Sequence, residues 1–295
     1  MAKRILLFVV TNILIVLTLT IVLQVLGIGR YGGYYGMSTQ SLAVFCLVWG
    51  MGGAFLSLQM SRWIAKTSLG IRLVDGQSGS GEGDWLYATV ARLTQQAGLP
   101  MPEVGVYDSA ELNAFATGPS RSRSLVAVSS GLLRGMRHDE IEGVLAHEVT
   151  HIANGDMVTM TLLQGVLNAF VMFFARIIAY AIASGGDRDR RGNSYMMQYM
   201  IVMVLQVVLG ILASIVTSWF SRQREFRADR GGATLAGRPQ MINALRRLQA
   251  NEGLVDTAQP ALATLKINGH RNWMMLFATH PPLEVRIAAL ERAAS

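Results

Sequence analysis

Two histidines in the segment VLAHEVTHIANGD, residues 144–156, have the spacing of ligands to one metal ion. His147 and His151 are four residues apart, and Glu148 lies between them. Because a helix has about 3.6 residues per turn, these two positions share one face, where two imidazoles can bind one Zn²⁺. Glu148 projects to the flank of the pair, within reach of a water molecule on the metal. The H-E-x-x-H pattern therefore indicates a hydrolytic zinc centre; the alternative is two helix-surface histidines beside a solvated glutamate.

A catalytic zinc ion takes three protein ligands and keeps one position for water, so the pattern needs a partner. Glu225 and Asp229 lie four residues apart in the segment SRQREFRADR, in a helical context. We expect Glu225 to complete a His₂Glu ligand set and Asp229 to accept the free N–H of a ligand histidine. A charged helix face, paired with the neighbouring arginines, is the alternative interpretation of these two residues.

Composition indicates that much of this chain lies in a membrane. Of its 295 residues, 51% are hydrophobic and 15% are charged, whereas a soluble domain usually has about 25% charged residues. The net charge is +7, but the basic residues lie mostly beside apolar segments, so we predict membrane orientation and no nucleic-acid partner. Cys46 is the only cysteine, which excludes an intramolecular disulfide and a cysteine-ligated metal cluster.

Four apolar stretches are long enough to cross a bilayer as helices, which takes about 20 residues. They run approximately over Ile5–Ile28, Ser41–Met60, Met157–Ala183 and Tyr195–Phe220, and they pair into two hairpins. The first stretch is expected to remain as an anchor. Its apolar core is longer than that of a signal peptide, and no A-x-A-like cleavage site follows it.

The basic residues predict which side of the membrane carries the site. Runs of them follow the second stretch from Arg62 and the fourth stretch from Arg222, and such residues mark the cytoplasmic side. Residues 62–156 and the segment from Ser221 onward therefore emerge together, so membrane insertion unites both halves of the site. The loop SGGDRDRRGN between the third and fourth stretches is also basic, so these two stretches form a hairpin or do not fully cross. Arg176 within the third stretch either snorkels or faces another helix, or it lines a polar cavity.

The remaining residues predict a small α+β domain that is mostly helical. One helix is expected to begin with Asp84 as its N-cap and to end at Gly98, and the helix of the histidine motif to run from near Asp139 to Gly155. β-Branched residues predict short strands at Glu103–Tyr107 and Leu125–Ser129, and amphipathic spacing predicts helices in PQMINALRRLQAN and PPLEVRIAALERA. The expected divisions are an N-terminal hairpin, a first catalytic part, a second hairpin and a second catalytic part, at residues 1–62, 63–156, 157–220 and 221–295.

Three motifs in order along the chain resemble the HtpX family of bacterial membrane zinc metalloproteases, which is related to the CAAX prenyl proteases within the gluzincins. They are HEVTHIANGD, EFRAD after a hydrophobic hairpin, and ATHPPLEVRI near the C-terminal end. The likeness covers essentially the whole chain, including ELNAFATGPSRSRSLVAVSSGLL and the N-terminal pair of spans. It implies a zincin-like domain that binds one Zn²⁺ per chain through His147, His151 and Glu225, with Glu148 as the catalytic base.

The same resemblance implies where the protein acts and on what. It implies an endopeptidase of the bacterial inner membrane, with its active site facing the cytoplasm. Its substrates would be peptides or damaged and misfolded membrane proteins, cleaved during envelope stress. The lipid bilayer and other membrane quality-control proteases are the further partners that it suggests.

Two further sets of residues are candidates for catalysis and substrate binding. His280, in THPPLEVR, is a candidate donor to the oxyanion of peptide hydrolysis, with Arg286 held near it. The alternative is a histidine capping the start of a helix and a surface arginine. Asn113, Ala114 and Phe115 resemble the family segment that binds substrate backbone beside an edge strand. NAFA is equally consistent with a turn packed on the core, and the whole segment SAELNAFATGPSRSRS is predicted as a turn before the second strand.

Other functions would use part of the same residues. A site-2-type intramembrane protease adds to H-E-x-x-H an aspartate from a D-G motif, which Asp75 and Gly76 could supply, but Asp75 and the histidines lie in polar stretches outside the spans. A metal transporter or non-proteolytic metal-binding scaffold would place ionisable ligands within the spans and leave Glu148 without a role. A degenerate, non-proteolytic homologue is disfavoured because the three ligands and Glu148 are intact.

Overall fold

The structure is a computed structural model, which describes residues 38–77, 79, 81–184, 194–258 and 276–293. The first predicted membrane stretch, about Ile5–Ile28, and residues 185–193 of the loop between the third and fourth stretches lie outside this range. The chain divides into two compact units. Of the described residues, those within Met1–Leu56 and Thr161–Thr217 form one unit, and those within Ser57–Met160 and Ser218–Ser295 form the other.

Helices predominate, and a small sheet accompanies them, as the sequence predicts. The elements are α1 (Thr39–Ser68), β1 (Arg72–Val74), α2 (Gly81–Gln96), β2 (Glu103–Tyr107), β3 (Ala114–Ser120), β4 (Arg123–Ser129), α3 (Ser130–Gly135), α4 (His138–Asn154), α5 (Asp156–Ser184), α6 (Ser194–Leu235), α7 (Arg238–Ala258) and α8 (Leu283–Arg292). The predicted strands coincide with β2 and with the end of β4, and both predicted C-terminal helices are present as α7 and α8.

Three of the described helices, α1, α5 and α6, are long and apolar enough to cross a membrane. Within the first unit, Leu42 and Cys46 of α1 pack against Phe173 of α5. At Gly50 a Cβ would lie 2.7 Å from the backbone nitrogen of Ala169. Small residues at such crossings let membrane helices pack backbone to backbone, which compensates for the weak hydrophobic drive between helices in lipid.

The sheet of the second unit has the strand order β1-β2-β4-β3. β2 and β4 are parallel, whereas β1 and β3 run antiparallel to their neighbours. Val126 and Val128 of the central strand β4 share a core with Leu86 of α2 and with Leu145 and Val149 of α4. Each such side chain stabilises the fold by about 1.5–3 kcal/mol when fully buried. This core fixes α4 to the sheet, so the histidine motif lies on a rigid element.

Local capping determines where α4 begins and ends. At its start, Glu140 Oε2 accepts a hydrogen bond of 2.8 Å from the backbone N–H of Arg137. At its end, Gly155 adopts φ 69°, and its N–H donates to the carbonyls of His151 and Ile152. Glycine adopts this left-handed conformation without steric cost. The predicted end of the helix at Gly155 is confirmed, and the chain restarts at once as α5.

Two local predictions are wrong. α2 begins at Gly81, so Asp84 lies in its first turn and is not the N-cap, although a carboxylate there still interacts favourably with the helix dipole. The interpretation of SAELNAFATGPSRSRS as a turn fails because Ala114–Ser120 forms β3, whose backbone pairs with β4. Pairing with β4, which begins only three residues after β3 ends, decides this conformation.

Candidate metal centre and active site

A crossing built on two glycines brings α6 against α4. A Cβ at Gly231 would overlap the side chain of Thr150, and one at Gly232 would lie 3.1 Å from the backbone nitrogen of His147. Because neither position carries a side chain, the two helices approach closely enough for Glu225, earlier on α6, to reach both histidines of α4. The sequence signal for this crossing is the pair of glycines that follows EFRADR.

Three ligand atoms converge at the crossing. His147 Nε2 lies 3.1 Å from His151 Nε2. Glu225 Oε2 lies 3.3 Å from His147 Nε2, and Glu225 Oε1 lies 3.4 Å from His151 Nε2. Ligand atoms about 2.0–2.1 Å from a tetrahedral zinc ion lie about 3.3 Å from one another. The triangle therefore has the dimensions of one face of a zinc coordination sphere, and these three residues form a group that can hold a metal.

The Glu225 carboxylate supplies a second test of whether a cation fits. It is 1% exposed, and among the described residues its oxygens are surrounded by nitrogen atoms at 3.0–3.5 Å, from His147, His151, His280, Arg224 and Arg286. Burying a carboxylate costs several kcal/mol or more unless it is paired or binds a metal. A divalent ion between Glu225 and the two imidazoles satisfies both oxygens, so the residues present fit zinc.

The other nitrogen of each imidazole faces a carboxylate. His147 Nδ1 lies 3.0 Å from Asp229 Oδ1, and His151 Nδ1 lies 2.7 Å from Asp156 Oδ2. Each Nδ1–H therefore donates to its aspartate, which leaves each Nε2 lone pair directed at the triangle. Asp229 is the residue expected in this position from the sequence, whereas Asp156 was not expected there. Its signal was its position immediately after the helix-ending glycine, five residues beyond His151.

Charge around the two imidazoles favours a cation between them. Burial by itself would lower the pKa of His147, but the hydrogen bonds with Asp229 and Glu225 outweigh burial and raise that pKa above its usual range. Burial would likewise lower the pKa of His151, but the hydrogen bonds with Asp156 and Glu225 raise it to about 9. The carboxylates thus stabilise positive charge at both rings, as a divalent metal would require.

Arg286 is paired with Asp229 in the structure. Its Nε donates to Asp229 Oδ2 over 2.8 Å, and its Nη2 donates to Asp229 Oδ1 over 2.5 Å. His280 is placed differently, because its side chain is 64% exposed and its Nδ1 lies 3.0 Å from Glu225 Oε2. Both residues proposed from THPPLEVR therefore approach the ligand group, one from the buried side and one from the solvent.

A cavity of about 850 Å³ adjoins the ligand group. Glu148 lines it together with His147 and His280, and so do Asn113 and Ala114 at the start of β3. The rest of its lining is mostly apolar, from Leu132, Val144, Met241, Leu245, Leu248 and Leu283. A cleft with apolar walls and a few convergent polar groups is typical of a substrate-binding site.

The three proposed substrate-binding residues do not share one surface. Asn113 and Ala114 border the cavity, whereas the Phe115 ring packs 5.8 Å from that of Tyr107. Alternation along the strand sends the side chains of Ala114 and Phe115 to opposite faces, so only the backbone of Phe115 is available at the free edge of β3.

Comparison with known proteins identifies relatives over the full length. The profile of peptidase family M48 matches residues 81–294. Protease HtpX of Idiomarina loihiensis is 52% identical over 291 residues, which cover 98% of this chain and 99% of that protein. Protease HtpX of Shewanella oneidensis is 50% identical, with coverage of 98% and 99%. A protein named Protease HtpX homolog, of Methylacidiphilum infernorum, is 49% identical, with coverage of 99% for both chains.

A solved structure shares the fold. The crystal structure of S. mikatae Ste24p superposes with a TM-score of 0.62 at 20% sequence identity. The match covers 84% of this chain, which spans 58% of the length of Ste24p. The metal-binding triangle, the apolar helices and the full-length relatives agree with one another: the chain belongs to peptidase family M48, among the HtpX proteases.

Proposed function

We propose that this membrane zinc metalloprotease hydrolyses peptide bonds of damaged or misfolded membrane proteins, with Glu148 as its general base. The observation that carries the proposal is the position of Glu148, which follows the ligand His147 on α4 and lines the same cavity. A carboxylate in that place could take a proton from a water molecule that attacks a peptide bond in the cleft. A metal site with a purely structural role would have no use for it.

Each side chain of the site has a distinct part in the proposed reaction. Bound zinc, held by His147, His151 and Glu225, supplies Lewis-acid activation of the water and of the scissile carbonyl. Glu148 accepts a proton from the attacking water and then delivers it to the leaving amine. His280 is the proposed donor to the developing oxyanion, for which its exposed ring can turn from Glu225 towards the cleft.

The substrate backbone is proposed to lie along β3. This strand is at the edge of the sheet, and Asn113 and Ala114 at its start border the cavity. Ser129 holds this start in place, because its N–H donates to the Asn113 carbonyl over 2.9 Å and its Oγ accepts from the Asn113 N–H over 3.2 Å. An extended peptide can add to such an edge through peptide groups, which favours unfolded segments over particular sequences.

The proposed membrane arrangement is four helices in two hairpins, at residues 1–62 and 157–220, with the catalytic parts at 63–156 and 221–295 in the cytoplasm. The arginines and lysines that follow the second and fourth apolar stretches support this orientation. The bacterial inner membrane is the proposed site of action. Other membrane proteases that remove damaged proteins are proposed as partners.

The test compares wild type with Glu148→Gln in detergent, measuring zinc content and cleavage of a misfolded membrane protein. We expect about one zinc per chain in both and a loss of cleavage in the variant of at least about 100-fold, because a positioned general base contributes about 10²–10⁴-fold. The matched control is Glu142→Gln on the same helix, where Glu142 pairs with Arg92 over 2.7 Å and does not line the cavity. That control should cleave like wild type.

The outcomes separate the competing functions. Equal cleavage by wild type and Glu148→Gln would mean that another residue is the base or that a contaminating protease is present. Zinc in both proteins without cleavage by either would favour the non-proteolytic metal-binding scaffold. Zinc bound by neither would refute the proposed ligand set.

A further inference from the structure

Arg286 carries a buried charge, and the proposed steps of hydrolysis give it no part. It lies on α8 and is 6% exposed. Removing a guanidinium from water costs several kcal/mol unless charge and hydrogen bonds compensate. Its position is fixed by α8, whose Ile287 and Leu290 pack against Met241 and Leu245 of α7. The fold therefore brings one arginine into the centre at a considerable cost.

The shortest hydrogen bonds of Arg286 go to Asp229, and its Nη2 also lies 3.4 Å from His147 Nδ1. Nε and Nη2 of Arg286 form a two-pronged pair with the two oxygens of Asp229, at 2.8 and 2.5 Å. The remaining nitrogen, Nη1, lies 3.5 Å from Glu225 Oε2. A two-pronged pair fixes the rotation of a carboxylate as well as its position. Asp229 Oδ1 is thereby held 3.0 Å from Nδ1 of His147.

Charge leads to the same residue by an independent argument. Three carboxylates are buried at the centre, those of Asp156, Asp229 and Glu225, with exposures of 3%, 1% and 1%. A zinc ion neutralises two of these charges, and Arg286 neutralises the third. Arg224 Nη2 also lies 3.5 Å from Glu225 Oε1, but it does not pair with Asp229. Without Arg286, the buried Asp229 carboxylate would keep only the imidazole of His147 beside it, which is unfavourable.

We propose that Arg286 is a positioning residue for the zinc ligand His147 and that it acts through Asp229. The guanidinium orients the Asp229 carboxylate, and Asp229 orients the imidazole so that Nε2 points at the metal. The inference rests on the proposed function in one respect, the assignment of His147, His151 and Glu225 as the zinc ligands. It differs from a role as oxyanion donor, which would act on the substrate and leave zinc affinity unchanged.

The experiment measures the zinc dissociation constant of the full-length protein in detergent by competition with a chromophoric chelator. The variants are Arg286→Gln, Arg286→Lys, Asp229→Asn and the double variant Arg286→Gln with Asp229→Asn. We expect Arg286→Gln to weaken zinc binding by about 10- to 100-fold, the usual effect of losing a partner that orients a metal ligand. Arg286→Lys should keep only part of the zinc affinity, because an ammonium group retains the charge but lacks the two parallel N–H donors of a guanidinium.

The double variant tests whether the arginine acts through the aspartate. We expect its zinc affinity to equal that of Asp229→Asn alone, since an Arg286 without its partner orients nothing. The control is Arg246→Gln, which removes an exposed α7–α8 ion pair of 2.8 Å between Arg246 and Glu291 and should bind zinc like wild type. The absorption spectrum of the Co²⁺-substituted protein reports ligand geometry, and it should change in Arg286→Gln but not in Arg246→Gln.

Three results would overturn the inference. The first is unchanged zinc affinity with a lowered kcat in Arg286→Gln, which would identify an oxyanion donor. The second is an additive loss in the double variant. The third is a normal Co²⁺ spectrum in folded Arg286→Gln. Should that variant fail to fold, Arg286→Lys and Asp229→Asn give the same comparison. His147→Ala keeps the two proposals apart: zinc bound as in wild type would refute the ligand set, whereas zinc lost there but kept in Arg286→Gln refutes only the role of Arg286.

Discussion

The two histidines of the proposed zinc site are one turn apart on α4, yet the fold holds them in different ways. His151 donates to Asp156, which follows the same helix directly after its glycine cap. His147 donates to Asp229 on α6, and Asp229 is held in turn by Arg286 of α8. One imidazole is thus oriented by a neighbour five residues away, and the other by residues brought from two distant helices.

The difference separates two ways of supporting a metal ligand. The support of His151 forms with the end of α4 and depends on the conformation of Gly155. The support of His147 exists only when α6 and α8 have both docked, so it links ligand geometry to the folding of the second unit. We call Asp156 the His151 arm, and Asp229 with Arg286 the His147 arm. Glu225 lies between the two arms and contacts both imidazoles.

The largest effect is expected from removing the residue that both arms share. Glu225→Ala deletes the third ligand, so zinc binding should weaken by more than the roughly 100-fold that losing an orienting partner costs at most. Cleavage should disappear with the metal. The zinc content of the variant after dialysis, compared with that of wild type, checks this. Stoichiometric zinc in the variant would mean that another side chain is the third ligand.

Asp229→Ala should damage both the metal site and the fold. It leaves Arg286 buried without its partner, and breaking a buried pair in this way costs about 3–5 kcal/mol. We therefore expect weaker zinc binding and a markedly lower free energy of unfolding in the zinc-free protein. Chemical denaturation in the presence of a chelator measures the second effect, and an unchanged midpoint would show that the His147 arm has no part in stability.

Asp156→Ala is the corresponding test of the local arm, with a smaller effect on the fold. It removes the acceptor of His151, and a buried donor without a partner costs about 1–3 kcal/mol. His151 can lose its charge, whereas Arg286 cannot, so less destabilisation is expected than in Asp229→Ala. Zinc affinity should still fall by about 10- to 100-fold. Equal destabilisation by the two alanine variants would contradict the distinction between the arms.

The parts of the centre that were predictable from sequence are those that local rules determine. Helix periodicity places His147 and His151 on one face, and the cap at Gly155 follows from the need for a left-handed residue. Glu225 was predictable because a catalytic zinc needs a third ligand and a carboxylate stood in a helical context. Asp156 was accessible by the same reasoning, because it directly follows the glycine that ends the helix, but no role was expected for it.

The remaining features depend on docking, which no local pattern encodes. The pair between Arg286 and Asp229 joins residues 57 positions apart and forms only because α8 packs on α7. β3 was ambiguous for a different reason: AFATGPS contains glycine and proline, which weaken the strand pattern, although its partner β4 follows after two residues. The long apolar helices were predictable from composition, since a bilayer demands one length and one kind of residue.

The smallest effect on zinc affinity is expected at the glycine crossing of α4 and α6, where the two arms meet. Gly231→Ala places a methyl group against Thr150, whose own hydroxyl is held by a 2.8 Å hydrogen bond to the Ala146 carbonyl. Overpacking of this kind costs about 1–3 kcal/mol, so α6 should shift and carry Asp229 and Glu225 away from the histidines. Gly210→Ala, on the same helix with open space at that position, is the control. Denaturation and zinc titration of both variants decide the point: a zinc affinity like that of wild type in Gly231→Ala would mean that the crossing tolerates displacement, and the His147 arm would then be no more dependent on docking than the His151 arm.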